Sequence, residues 1–101
     1  MDTTIAETIR SQIGHQAMFM MGAKNLIAHK NGLSFRIRGS KAVNYIKITL
    51  NGLDLYDMEF GKIHGFNYKV VDTLNGAYDD MIHAVIERRT GLRLSLTRTY
   101  A

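Results

Sequence analysis

Few residues in this chain stand at spacings that chemistry requires. The densest titratable group is Asp79, Asp80 and His83. Offsets of three and four residues put two carboxylates and an imidazole on one helical face, where they could share a divalent metal. The same acids also suit the first turn of a helix, whose partial positive charge attracts them. A second group, Asp54, Tyr56, Asp57 and Glu59, carries residue types fit for acid–base work. Strand alternation sends Tyr56 to the face opposite Asp57 and Glu59, so a polar sheet face is the simpler reading. The other histidines, His15, His29 and His64, fall in separate segments. The sequence holds no glycine-rich phosphate loop, no GxSxG elbow and no HExxH. It has no cysteine either, which removes disulfides, thiolate nucleophiles and cysteine-based zinc sites. We therefore assign no catalytic residue, no metal and no cofactor from the sequence.

Charge layout is the stronger signal. From Thr8 through Leu53 there is no Asp or Glu, yet there are Arg10, Lys24, Lys30, Arg36, Arg38, Lys41 and Lys47. Such asymmetry predicts one basic surface, attractive to nucleic acid or to an acidic protein face. We assign partner binding to Arg36, Arg38, Lys41 and Lys47, with Tyr45 as an aromatic anchor. Cations interleaved with an aromatic also meet, in outline, what single-stranded nucleic acid requires. A competing expectation is internal pairing: Arg36, Arg38 and Lys47 would face Asp57 and Glu59 across one sheet surface, at roughly 0.2–1 kcal/mol per pair. Met18-Phe19-Met20-Met21 winds around a helix, and its four apolar residues cannot share one stripe. Most of it should be core, with Met18, Phe19 and Met21 as the candidate self-association surface of a homodimer.

Residues 4–30 read as one long helix. Thr4 and Glu7 have the spacing of a capping box. Ile5, Ile9 and Ile13 recur at four, Met20, Ala23 and Ile27 continue a stripe, and Lys30-Asn31-Gly32 supplies a stop. Gly14 is the weak point and marks a kink or a close contact. The period then changes to two. Leu33, Phe35 and Ile37 alternate with Ser34, Arg36 and Arg38, and Gly39-Ser40 turns the chain. Tyr45 to Leu50 forms a second strand, and Asn51-Gly52 predicts a type I′ hairpin. In the third strand Tyr56, Met58 and Phe60 point inward, and Asp57 and Glu59 point outward. Gly61 and Gly65 bracket a turn before a short fourth strand at Tyr68–Asp72. A second helix spans 77–90, with Met81, Ile82, Val85 and Ile86 apolar and Gly91 as its stop. Residues 92–101 return to period two, as an edge strand or a pairing arm.

The expected fold class is α+β: an antiparallel meander of three to five strands, with an N-terminal and a C-terminal helix packed on one face, in the order α-β-β-β-(β)-α-(β). All 101 residues read as a single domain. An apolar share of 46% with 22% charged residues is that of a folded globule. No signal peptide and no apolar run long enough for a membrane span can be found, which predicts a cytoplasmic protein with no membrane partner. Proline is absent, so turns fall to glycine and asparagine.

Four stretches carry a resemblance: Gly22-Ala23-Lys24-Asn25-Leu26, then Leu33 through Ser40, then Asn44 through Leu50, then Asp54-Leu55-Tyr56-Asp57. Together, and on to Thr90-Gly91-Leu92, the chain resembles small uncharacterised proteins of bacteriophages and prophages. The resemblance implies a bacterial host cytoplasm. It also implies action by binding host or defence machinery, as anti-CRISPR inhibitors do. In element order alone the chain also looks like the double-stranded-RNA-binding domain. That family begins its last helix with lysines, where this chain has Asp79-Asp80. The expected function is therefore a non-enzymatic binding protein that occludes an acidic protein or nucleoprotein target. Direct nucleic-acid binding is the alternative, and a small metal-dependent enzyme the second.

Overall fold

The computed structural model describes residues 2–94. Isoleucines four apart make helix α1 (Thr4–Ile13), which buries Ile9 and Ile13 together with Ala6. Thr3, not Thr4, is its N-cap. The Thr3 hydroxyl donates to Glu7 Oε2 at 2.6 Å, while the Thr4 amide and hydroxyl both donate to Asp2 Oδ1. The pairing expected between Thr4 and Glu7 is thus replaced by one register earlier.

The long helix expected over 4–30 is three elements. Gly14, at φ 88°, ends α1, and helix α2 (His15–Met21) begins immediately after it. Gly22, at φ 63°, ends α2, its amide bonding back to Met18 and Phe19 carbonyls. Strand β1 (Lys24–His29) follows and pairs with β2 (Gly32–Arg36). Two glycines with left-handed backbone within nine residues interrupt the helix, and the apolar residues of 26–28 gain more from pairing with β2 than from a helical stripe. Lys30-Asn31 is consequently the turn of a hairpin, with His29 opposite Gly32, and not a helix stop.

The sheet continues through β3 (Tyr45–Leu50), β4 (Tyr56–His64) and β5 (Asn67–Ala77), all antiparallel and in chain order. Five strands is the upper end of the expected range. The additional strand comes from the N-terminal side, and β5 runs well past the predicted Tyr68–Asp72. The β3–β4 connection is a five-residue loop and not a type I′ turn. Asn51 Oδ1 accepts the Leu53 and Leu55 amides, and Asp54 takes φ 60°. The Asn51 side chain replaces a backbone partner and lengthens the turn.

After β5 a 3₁₀ turn (Asp79–Met81) leads into helix α3 (Ile82–Thr90), which stops at Gly91 with φ 76°. Ile82, Val85 and Ile86 face inward, whereas Met81 is exposed. One core joins Ile9, Ile13, Ile82 and Ile86 of the helices to Leu33, Phe35, Ile46, Ile48, Met58 and Phe60 of the sheet. Leu94 also enters it, and its amide donates to Glu87 Oε2 at 2.9 Å. Leu92 to Leu94 form no strand. The rest of the tail strand expected over 92–101 lies outside the described residues.

Candidate functional site

The helices cover one face of the sheet, so alternation leaves the other open. Register fixes what stands there. Lys24 lies opposite Arg36, Arg36 opposite Tyr45, and Tyr45 opposite Gly61. The next row pairs Ser34 with Lys47 and Lys47 with Glu59, and a third pairs Thr49 with Asp57. Arg36, Tyr45 and Lys47 are half-buried, which limits the rotamers their long side chains can use.

Tyr68 crosses this face from β5. Its ring occupies the space a side chain at position 61 would need. The hydroxyl donates to Glu59 Oε2 at 2.5 Å, and the ring meets Tyr45 edge-on at 5.3 Å between centroids. Burial, then the bond to Glu59 and its negative charge, raise the Tyr68 phenol above the ordinary tyrosine range.

The charge pairing expected across this face does not form. Glu59 stands opposite Lys47 as predicted, but accepts from Tyr68. Asp57 Oδ1 accepts from Asn51 Nδ2 and from the Gly76 amide, both at 3.0 Å. The one ion pair among the described residues joins Arg89 to Asp72, away from this face. Both outward acids of β4 are therefore engaged locally but keep their charge, so Lys47 stands opposite Glu59 without a direct ion pair, and Arg36 has no acid opposite it in the register.

Arg38 and Lys41 sit on the loop from 37 to 44. Buried Ile37 and Val43 anchor that loop, and Asn44 clamps it to β4 by donating to the Ile63 carbonyl and accepting the Ile63 amide. Lys62 Nζ donates to the Lys41 carbonyl at 3.0 Å, so a second cation approaches Lys41. Arg38 points elsewhere. Its amide donates to the Met21 carbonyl at 2.9 Å, and its side chain lies against the bare Cα of Gly22. There it lines a concavity of about 400 Å³ with Arg10, His15 and Lys24, beside Met18, Phe19 and Leu26. The five residues assigned to one partner surface thus divide: Arg36, Tyr45 and Lys47 on the sheet, Lys41 at its rim, and Arg38 in the concavity.

The candidate self-association patch contracts. Met18 and Met21 belong to the core, and Phe19 alone is open, at 76% exposure. The candidate metal trio is also dispersed. His83 Nε2 donates to the Ile13 carbonyl at 2.6 Å, and Asp79 accepts from Gln12 at 3.4 Å. Among the described residues no three His, Asp or Glu side chains gather as a metal site. Tyr56 is buried on the core side, away from Asp57 and Glu59. No helix among the described residues is long and apolar enough to cross a membrane.

Sequence reasoning missed Arg10, His15, Lys24 and Tyr68. The glycine at 61, inside a strand, was the available signal for Tyr68, because a bare strand position invites a cross-strand aromatic to cover it. Comparisons with family models, with curated proteins and with solved structures find no match, so what this surface does must be read from its own geometry.

Proposed function

We propose that this chain is a non-enzymatic binding protein that covers an acidic face of a protein or nucleoprotein target with the open side of its sheet. One observation carries the reading. Arg36 and Lys47 flank the Tyr45–Tyr68 pair on that side, while Glu59 and Asp57 are tied to Tyr68, Asn51 and Gly76. Arginine and tyrosine are the residue types that carry most binding energy at interfaces, and half-burial lowers the entropy lost on contact. Cations free of direct ion pairs speed encounter with an acidic partner and select against a basic one. The target would then belong to a bacterial host or its defence machinery, as the resemblance to phage proteins implies.

A second reading, direct binding of nucleic acid, is favoured by the row Lys24, Arg36, Tyr45 and Tyr68. There two cations are followed by two aromatic rings across the sheet. Fluorescence anisotropy against labelled poly-glutamate, single-stranded DNA, duplex DNA and duplex RNA, at two salt concentrations, separates the readings. Salt-sensitive binding to poly-glutamate is expected, weakened about tenfold or more by Arg36→Glu with Lys47→Glu at unchanged thermal stability. Tighter binding to a nucleic acid transfers the function to the second reading. Binding to none of the four, or binding indifferent to the double reversal, refutes the surface.

A further inference from the structure

The concavity where α2 turns into β1 adjoins the open sheet face, sharing Lys24 with its first row, and is built from unusual backbone. Three residues with positive φ frame it: Gly14 at 88°, Gly22 at 63° and Asn25 at 55°. Gly14 sets α2 at an angle to α1, so that Arg10 of one helix and His15 of the other line the same space. Gly22 carries Arg38 against it, and a side chain there would press on the Arg38 Nε at 3.2 Å. Asn25 lies in a register shift between Lys24 and Ile27, where Asn25 and Leu26 of β1 stand against Phe35 alone on β2. That extra residue holds Lys24 opposite Arg36 and still lets Leu26 line the concavity. Asparagine tolerates left-handed backbone, but a bulge in which a non-glycine residue takes positive φ is costly and is found preferentially beside sites.

We propose that this concavity binds a phosphomonoester joined through a short linker to a flat aromatic ring, the chemistry of a nucleoside monophosphate. Arg10, Lys24 and Arg38 bring three permanent cations, and the lining holds no acid. A carboxylate would neutralise one of them. A phosphomonoester carries nearly two charges at neutral pH and offers three oxygens to arginine forks and an ammonium. Phe19 and Leu26, both exposed, stand beside the cations. A bare anion has no use for them, whereas a ring linked to the phosphate would cover the Phe19 face. The volume of about 400 Å³ lies within the range of small-molecule sites. This inference does not depend on the sheet face binding a protein.

Calorimetric titration of the full chain with AMP, inorganic phosphate and adenosine tests it, with ¹⁵N-edited NMR to locate the ligand. AMP should bind about tenfold or more tightly than either fragment, and should shift the amides of Phe19, Lys24 and Arg38. Arg38→Gln and Lys24→Gln should each weaken AMP about tenfold with unchanged spectra elsewhere. Phe19→Ser should weaken AMP but not phosphate, and Lys30→Glu, at the far turn of β1, should do neither. A 5′-phosphorylated trinucleotide that outcompetes AMP, while its 5′-hydroxyl form does not, would identify a strand end as the source of the same group. Equal affinity for AMP and phosphate, no AMP binding at millimolar concentration, or AMP binding indifferent to both glutamine variants would overturn the proposal.

Discussion

Gly32 and Gly61 sit on the same face of the same sheet, and alanine at each should have very different consequences. A Cβ at Gly32 would run into the Ile48 backbone carbonyl, with Thr49 Cγ2 at 2.8 Å and Thr49 Cα at 3.0 Å. Gly32 is the register partner of Thr49, so relief requires β2 and β3 to move apart. Overpacking of this kind costs about 1–3 kcal/mol, and a backbone obstacle places Gly32→Ala near the top, about 3 kcal/mol. At Gly61 the obstacle is the Tyr68 ring, which is 44% exposed and can swing into solvent. That motion gives up the bond to Glu59, about 0.5–1 kcal/mol once water replaces it, and the edge contact with Tyr45, about 0.5–1.5 kcal/mol. Reduced freedom of the unfolded chain returns about 0.4–1 kcal/mol. Gly61→Ala should therefore cost only about 1 kcal/mol. Thermal unfolding followed by circular dichroism should place Gly32→Ala roughly 15 °C below wild type and Gly61→Ala roughly 5 °C below. If Gly61→Ala proved the more damaging, or Gly32→Ala stayed within about 1 kcal/mol of wild type, the packing argument at both sites would fail.

Tyr68→Phe removes the donor to Glu59 and should lower stability at neutral pH by about 0.5–1 kcal/mol. The folded-state pKa of Tyr68 is raised, so its contribution is complete below the ordinary tyrosine value of about 10 and is lost as pH climbs from there through the raised value. Urea unfolding at stepped pH should show the two proteins converging above about pH 10, and a constant difference would contradict the assignment. Within Met18–Met21, Met21→Ala should cost about 2–5 kcal/mol, because Met21 is fully buried, whereas Phe19→Ala should change stability by less than about 0.5 kcal/mol. Similar losses at both positions would mean that Phe19 is covered.

Period-two alternation made β2, β3 and the start of β4 legible. Leu33, Phe35, Ile46, Ile48, Met58 and Phe60 all lie where alternation sends them. The C-terminal end of the last helix was equally plain, since Arg88, Arg89 and Gly91 satisfy end rules that need no tertiary context. Its start was misplaced, because β5 runs to Ala77 and the acids stand in a 3₁₀ turn before α3. Lys24–His29 was misread because its apolar residues, Leu26, Ile27 and Ala28, are consecutive and fit a helix as well as a strand. Only pairing with β2 decides between them. The charge layout marked a basic half and a mixed one, but the single basic surface expected from it divides between the sheet, its rim and the concavity. It could not reveal that Tyr68 and Asn51 would engage the acids expected to face Arg36 and Lys47, because both bonds depend on loop length and register.

The failure over residues 14–25 has a further meaning. Gly14, Gly22 and Asn25 break a helix that propensity and spacing both favour, and each takes a backbone conformation that regular structure avoids. Stability alone would be served by continuing the helix or by an unbulged strand. The chain instead leaves Phe19 in solvent and crowds Arg10, Lys24 and Arg38 around one concavity, where their mutual repulsion is unopposed by any acid in the lining. Departures from local rules concentrate where a protein serves something besides its own stability. Three such departures around one cationic concavity are stronger grounds for a ligand there than its volume or its charge taken alone.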